Sequence, residues 1–257
     1  MSEFKYLQYE RTGDLVRIAI NRPPFNVLDI ATMAEMNVAL DQAAKEDGAK
    51  VLVVTGVGEK AFSAGVDVAD HTKDKVQSMI DTFHGNIRRI LALPMPTVAA
   101  INGASLGGGF ELALACDMLV AAEGAKIGQP EIKLGVFPPI AAILMPRITS
   151  TPRAMELVLG GGTIDAREAQ AIGLVNKVFP RDTFAADTAK FLDQFLSLSR
   201  SALLYTKRAM RVAVGRPFAE ALHDVEEIYL HEMMATEDAT EGLNSFMEKR
   251  KPVWKNR

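Results

Sequence analysis

Two glutamates with unusual neighbours offer the clearest chemistry in this chain. Glu111 lies in "ASLGGGFELALACD" (104–117), directly after Gly107, Gly108 and Gly109. Glycine costs roughly 0.5–1 kcal/mol against alanine inside a helix or strand. Three in a row at the head of an apolar helical run suggest a backbone stripped for close approach. Glu131 follows twenty positions later in "IGQPEIKLG" (127–135), and a third segment, "FSAGVD" (62–67), precedes both. A glycine before a small turn, and a glycine cluster at a helix start, can each present unpaired N–H groups. Two such groups converging on one oxygen would form an oxyanion hole, a few kcal/mol per donor. Two carboxylates in different surroundings could then divide general-base and general-acid work. On pattern alone Glu111 reads first as a first-turn carboxylate serving its own helix, and Glu131 as a surface loop residue.

These residues need a scaffold. "LVRIAI" (15–20), "VLVVTG" (51–56), "TVAAIN" (97–102) and "MLVAA" (118–122) read as strands, the later ones apolar on both faces and so covered. Helical spacing runs through 30–45 and 74–93, where Pro94 and Pro96 end it. The alternation predicts an α/β fold with largely parallel pairing. Thr151 is expected to cap a helix with Pro152 at its first position, and "DARE" (165–168) to form a capping box for a short helix ending at Gly173. From Thr183 onward only helices are expected, including 219–234 and 239–249. No polar linker divides the chain and no sequence repeat is clear.

Composition narrows the function. The 257 residues are 48% hydrophobic and 24% charged, ordinary for a globular protein with a sizeable core. A formal charge of −3 without a basic stripe argues against nucleic-acid binding. Cys116 is the single cysteine, so no internal disulfide is available and a reducing, cytoplasmic setting is expected. "MSEFKYLQYERTGD" has no basic n-region or apolar h-region, so no signal peptide is expected, and no stretch reads as a membrane span. His71, His84, His223 and His231 lack metal-ligand spacing, and "GVGEKAFSAG" is not a dinucleotide fingerprint. Asp67 reads as a turn or cap residue and Cys116 as core packing.

The three segments, in this order, resemble the crotonase family of enoyl-CoA hydratases and isomerases. The resemblance begins at "NRPPFNVLD" and runs through "VLVVTGVGEKAFSAGVD", "PTVAAINGASLGGGFELALACD", "AKIGQPEIKLGVFP" and "RAMELVLGG". It continues through "AREAQAIGLVNKVFP" to "EGLNSFMEKRKPVW", nearly the whole chain. It implies a spiral of ββα turns over residues 1–195 and a helical trimerisation region over 196–257, assembled as a homotrimer or homohexamer. It also implies an acyl-CoA substrate, with coenzyme A part of that substrate and no metal or other cofactor. By position, Val66 and Gly108 would supply the oxyanion-hole N–H groups, Glu111 would activate water and Glu131 would deliver a proton to carbon. Ala64, Gly65, Asp67, Gly107 and Pro130 would line the substrate, and Lys249 and Lys251 would reach the coenzyme A phosphates. His84 lies on a helix that borders the acyl pocket in such proteins.

The chain departs from the common hydratase pattern in two places. "GVFPPIAAILMPRI" puts Pro139, Ile140, Ala141 and Ala142 where small flexible residues are usual, and Val27 and Asp29 alter an early motif. Both features resemble the cyclohexa-1,5-diene-1-carbonyl-CoA hydratases, which add water to a cyclic diene. The alternatives are a Δ3,Δ2-enoyl-CoA isomerase, which needs only Glu131, a CoA-thioester hydrolase, and a non-enzymatic scaffold or RNA-associated homologue.

Overall fold

A computed structural model describes residues 4–257. The strands are β1 (Leu7–Thr12), β2 (Leu15–Ile20), β3 (Val51–Gly56), β4 (Ala61–Ser63), β5 (Thr97–Ile101), β6 (Ala104–Leu106), β7 (Met118–Ala122), β8 (Lys126–Gly128), β9 (Thr163–Asp165) and β10 (Lys177–Phe179). The helices are α1 (Ile30–Ala43), α2 (Val76–Ala92), α3 (Gly108–Leu114), α4 (Pro139–Ile148), α5 (Thr151–Gly160) and α6 (Ala166–Ala171), then α7 (Phe184–Leu196), α8 (Arg200–Ala213), α9 (Phe218–Glu227) and α10 (Glu237–Met247).

Six strands form one sheet in the order β1-β2-β3-β5-β7-β10, parallel except for the β1–β2 hairpin. Four short strands form a second sheet, β4-β6-β8-β9, with only β9 antiparallel. Successive pairs β3/β4, β5/β6 and β7/β8 each place one strand in the large sheet and one in the small. The chain then passes to α2, α3 and α4 in turn, which is a ββα spiral. The repeat is therefore structural, carried by the path of the backbone, and leaves no sequence repeat to see. Val54, Ile101 and Leu119 face a core completed by α1, α2 and α3, including Met33, Leu40, Phe83 and Phe110. Val51, Val53, Val98 and Val120 face the other way, where α7 covers them with Leu192 and flanking phenylalanines. Burial on both faces explains why these strands read as continuous apolar runs.

Several expectations are corrected locally. Ser150, not Thr151, is the residue before α5, and it makes no side-chain cap bond; Thr151 and Pro152 are already helical. Asp165 does cap α6 by accepting from the Glu168 N–H at 2.9 Å, but the Glu168 carboxylate turns outward to Arg153 rather than closing the box. The helix expected over 219–234 ends at Glu227 and continues as a π-turn and a 3₁₀ turn to Ala235. Three-residue strands such as β4, β6 and β8 were beyond the reach of a period-two pattern, which needs more residues to show itself.

The C-terminal helices are tied to the spiral by buried charge. Lys207 of α8, 8% exposed, donates to Met95 O at 2.7 Å and pairs with Asp117 at 2.7 Å. Asp117 also accepts from the Thr97 N–H at 2.8 Å and from Arg211 at 2.6 Å. The last residues strap down on buried Asp238, which accepts from the N–H groups of Lys255 (2.6 Å) and Asn256 (2.9 Å). Among the described residues no helix is long and apolar enough to cross a membrane.

Candidate active site

The small sheet delivers the three glycine and glutamate segments to one place. β4 leads into Ala64–Gly65–Val66, β6 leads into Gly107 and α3, and β8 leads into Gln129–Pro130–Glu131. Because β4, β6 and β8 are parallel neighbours, their C-terminal ends open side by side. The crevice beyond the C-terminal ends of parallel strands is where α/β folds commonly place ligands.

Two peptide N–H groups, those of Val66 and Gly108, lie near one another there. An isolated parallel bridge joins Leu28 to Val66. Its bonds run from the Leu28 N–H to Gly65 O (2.9 Å) and from the Asp67 N–H to Leu28 O (3.1 Å). The Gly65–Val66 peptide is planar and trans, so its N–H points opposite to its pinned carbonyl. Gly108 lies close by: a Cβ placed on it would stand 3.4 Å from the Val66 nitrogen and 2.7 Å from its Cγ2. Gly108 opens α3, so its own N–H has no intrahelical acceptor. Among the described residues neither N–H is taken by another group. Gly107 precedes it at φ 53° and ψ −132°, a conformation reserved for glycine. A Cβ on Gly107 would meet Glu131 Oε1 at 2.8 Å, so the stripped backbone makes room for the catalytic candidate itself. Gly65, at φ 105°, packs equally closely on Leu106 O.

Glu111 is 3% exposed and does cap a helix, though not its own. Its Oε1 accepts from the N–H groups of Ile140 (2.8 Å) and Ala141 (2.9 Å) at the start of α4. Pro138 precedes that helix and makes no side-chain cap bond, and Pro139 brings no N–H, so Glu111 supplies the cap from a distant element. Oε2 is left without a protein partner among the described residues. Burial raises the Glu111 carboxyl to about 7, the two N–H bonds oppose that rise and the nearby Glu131 charge adds to it. Glu131 begins a 3₁₀ turn after Pro130. Burial also raises its carboxyl, offset by a backbone hydrogen bond and by the charge of His71. Gln129, 1% exposed, donates to both Glu131 oxygens at 3.1 Å once its amide nitrogen faces them, the orientation its surroundings demand.

The remaining candidates sort clearly. Asp67 caps a short 3₁₀ turn through the Ala69 N–H (2.9 Å), and Cys116 is buried with its thiol raised to about 12 by burial. Ala64 is exposed beside the N–H pair and its own N–H donates to Phe25 O. Phe83, rather than His84, approaches Gly108 from α2. Asp29 is the N-cap of α1 and pairs with Arg22 at 2.5 Å, so it serves the scaffold. Lys249 and Lys251 lie past α10, where the intervening Arg250 forks onto Glu241 and Glu248. Within this chain the structure does not bring either lysine to Glu111 or Glu131 through any hydrogen bond or ion pair. A cavity of about 1210 Å³ lies elsewhere, between α8–α10 and the far ends of α3 and α4, and neither glutamate lines it. Among the described residues no three His, Cys, Asp or Glu side chains gather as a metal site. The cap that Glu111 supplies to Ile140 and Ala141 and the Gln129 contact escaped the sequence reading, because nothing local links position 111 to position 140.

A ββα spiral with two unclaimed N–H groups beneath a desolvated carboxylate pair is a scaffold suited to stabilising an enolate. The model of the enoyl-CoA hydratase/isomerase family matches residues 10–257. The cyclohexa-1,5-dienecarbonyl-CoA hydratase of Thauera aromatica is 39% identical over 96% of this chain and 95% of its own length. A probable enoyl-CoA hydratase of Mycobacterium bovis is 35% identical over 99% of both chains. The crystal structure of enoyl-CoA hydratase from Bacillus anthracis superposes with a TM-score of 0.94 at 32% identity, covering 98% of this chain and 100% of that one. This chain belongs to the enoyl-CoA hydratase/isomerase family.

Proposed function

We propose that the protein is a hydro-lyase that adds water to a conjugated enoyl- or dienoyl-CoA thioester, a cyclic diene such as cyclohexa-1,5-diene-1-carbonyl-CoA being the favoured acyl group. The observation that carries this reading is the pair of unclaimed N–H groups, Val66 and Gly108, close together beside one buried and one half-buried carboxylate. The thioester oxygen would accept from both N–H groups. Glu111 Oε2, free because Oε1 is anchored, takes a proton from water as the hydroxyl adds to the alkene. The displaced electron pair moves onto the thioester oxygen, where the two donors stabilise it more than they stabilise the ground state. Glu131 then delivers a proton to carbon. For a conjugated diene the same oxygen receives the charge, so 1,4 addition needs no further machinery. Ala64, Gly65, Asp67, Gly107 and Pro130 would border the substrate; coenzyme A is part of it, and no separate cofactor enters the scheme.

Two features favour this reading over its alternatives. An isomerase needs one proton shuttle, which leaves the second oxygen of Glu111 without a chemical task, its first being spent on the cap of α4. A thioester hydrolase must attack the carbonyl carbon, whereas a carboxylate pair with a free Oε2 suits water addition at the alkene. The ring-specific reading draws on the stiff Pro138–Pro139 start of α4 and on the Thauera relative's name. We further propose a cytoplasmic enzyme with the site in residues 1–195, and with residues 196–257 mediating a homotrimer or homohexamer. Exposed Met210, Val214, Phe218, Phe246 and Met247 on the C-terminal helices support that assembly. The test is incubation with crotonyl-CoA and with cyclohexa-1,5-diene-1-carbonyl-CoA, following the conjugated absorbance. Loss of absorbance without free thiol supports hydration; free coenzyme A with no hydrated product refutes it.

A further inference from the structure

Asp70 is a buried carboxylate, 7% exposed, to which the reaction scheme gives no task. Its Oδ2 accepts from the Ile30 N–H at 3.0 Å and its Oδ1 pairs with Lys75 at 3.3 Å. Ile30 is the first residue of α1, whose N-cap side chain, Asp29, is already spent on Thr32. The Ile30 bond satisfies a second orphan N–H of α1 and, because Asp70 lies forty positions away, it also ties a distant segment to that helix. Residues 28–30 and 65–70 are stitched by three bonds: Leu28 N–H to Gly65 O, Asp67 N–H to Leu28 O, and Ile30 N–H to Asp70 Oδ2. The first sets the plane of the Gly65–Val66 peptide and so the direction of the Val66 N–H. The third closes the far end of the same ladder, beyond a 3₁₀ turn at Val68–Asp70.

We infer that Asp70 is a positioning residue for the oxyanion hole, latching the 65–70 segment to the start of α1 so that the Val66 N–H stays aimed at the substrate oxygen. Of the three bonds it is the only one made by a side chain, and so the only one that a side-chain substitution reaches. Without it the two backbone bonds of Leu28 hold the segment at its start only, and residues 68–70 are free to shift and to loosen the Gly65–Val66 peptide from its far side. An oxyanion donor acts only within a narrow range of distance and direction. The consequence falls on transition-state stabilisation rather than on substrate binding.

The inference rests on the hydratase reading, and the experiment separates the two. Bind a dimethylaminocinnamoyl-CoA probe, whose absorption moves to the red as its carbonyl is polarised, and measure kcat and KM for hydration alongside. Asp70→Ala is expected to lose at least half of the red shift and to lower kcat roughly tenfold to a hundredfold, with KM within about threefold. Asp70→Asn, whose amide oxygen still accepts from Ile30, is expected to keep most of both. Ile30→Pro removes the same bond from the donor side, at a helix position and after an extended residue that tolerate proline. It should reproduce Asp70→Ala, and it decides the matter where Asp70→Ala does not fold. A folded Ile30→Pro protein with full red shift and kcat, or an Asp70→Asn protein as impaired as Asp70→Ala, would overturn the latch alone. A wild-type protein that binds the probe without any red shift would overturn the oxyanion reading and the latch with it.

Discussion

Replacing Glu111 by glutamine should make the protein more stable and less active at once. The carboxyl is held at about 7 against an ordinary 4.5, with burial the main cause. At about 1.36 kcal/mol for each tenfold in proton affinity, the ionised folded state carries a penalty of about 3 kcal/mol. The folded value lies above the unfolded one, so the contribution of Glu111 to stability is most favourable below about pH 4.5, falls as pH rises toward 7, and levels off beyond it. Glutamine does not ionise, and its amide oxygen can still accept from the Ile140 and Ala141 N–H groups that Oε1 now serves. The variant and the wild type should therefore match at pH 4.5. The variant should lead by about 3 kcal/mol at pH 8. Equilibrium urea unfolding at both pH values, followed by the fluorescence of the single Trp254, measures the difference. Hydration should fall by roughly 10²–10⁴-fold, the usual loss of a general base. A variant less stable than wild type at pH 8 would refute the reasoning, because it would show the carboxylate to be a net stabilising cap for α4. An unchanged hydration rate would return Glu111 to a purely structural role.

Other outcomes follow from neighbouring contacts. Gly107→Ala places a Cβ 2.8 Å from Glu131 Oε1 at φ 53°, which should cost roughly 1–3 kcal/mol in strain and displace the carboxylate. Its Tm should drop by several degrees and hydration by tenfold or more; wild-type values for both would remove the close approach from the argument. Lys207→Met leaves Asp117 with Arg211 as its one cationic partner in a partly buried site. It should destabilise by on the order of 3 kcal/mol in urea unfolding, while hydration per folded molecule stays unchanged. A loss below about 0.5 kcal/mol, the range of an ordinary surface change, would show that α8 is held by packing rather than by charge.

Much of the scaffold is legible in the sequence. β2, β3 and β7 fall where β-branched and apolar runs place them, and α1 and α2 follow a 3.6-residue period, because these elements are long enough for periodicity to accumulate. The short strands β4, β6 and β8 do not, although they carry the site to its place. Three residues cannot display a period, and their pairing is dictated by strands already assembled beside them. Family resemblance located the two glutamates and the two N–H groups, but not what holds them.

The sequence by itself determined which groups are available. It sets two carboxylates at positions 111 and 131, glycines where a Cβ would collide, and a proline pair that starts a helix without a cap. Only the tertiary structure decided how those groups behave. Glu111 is raised to about 7 because the surrounding core excludes water from it, against the opposing pull of the N–H bonds from residues 140 and 141. The Val66 N–H is aimed because Leu28, thirty-eight positions earlier, pins the opposite side of its peptide. Desolvation and peptide orientation depend on neighbours brought in from far along the chain, and no local pattern of residue types encodes them.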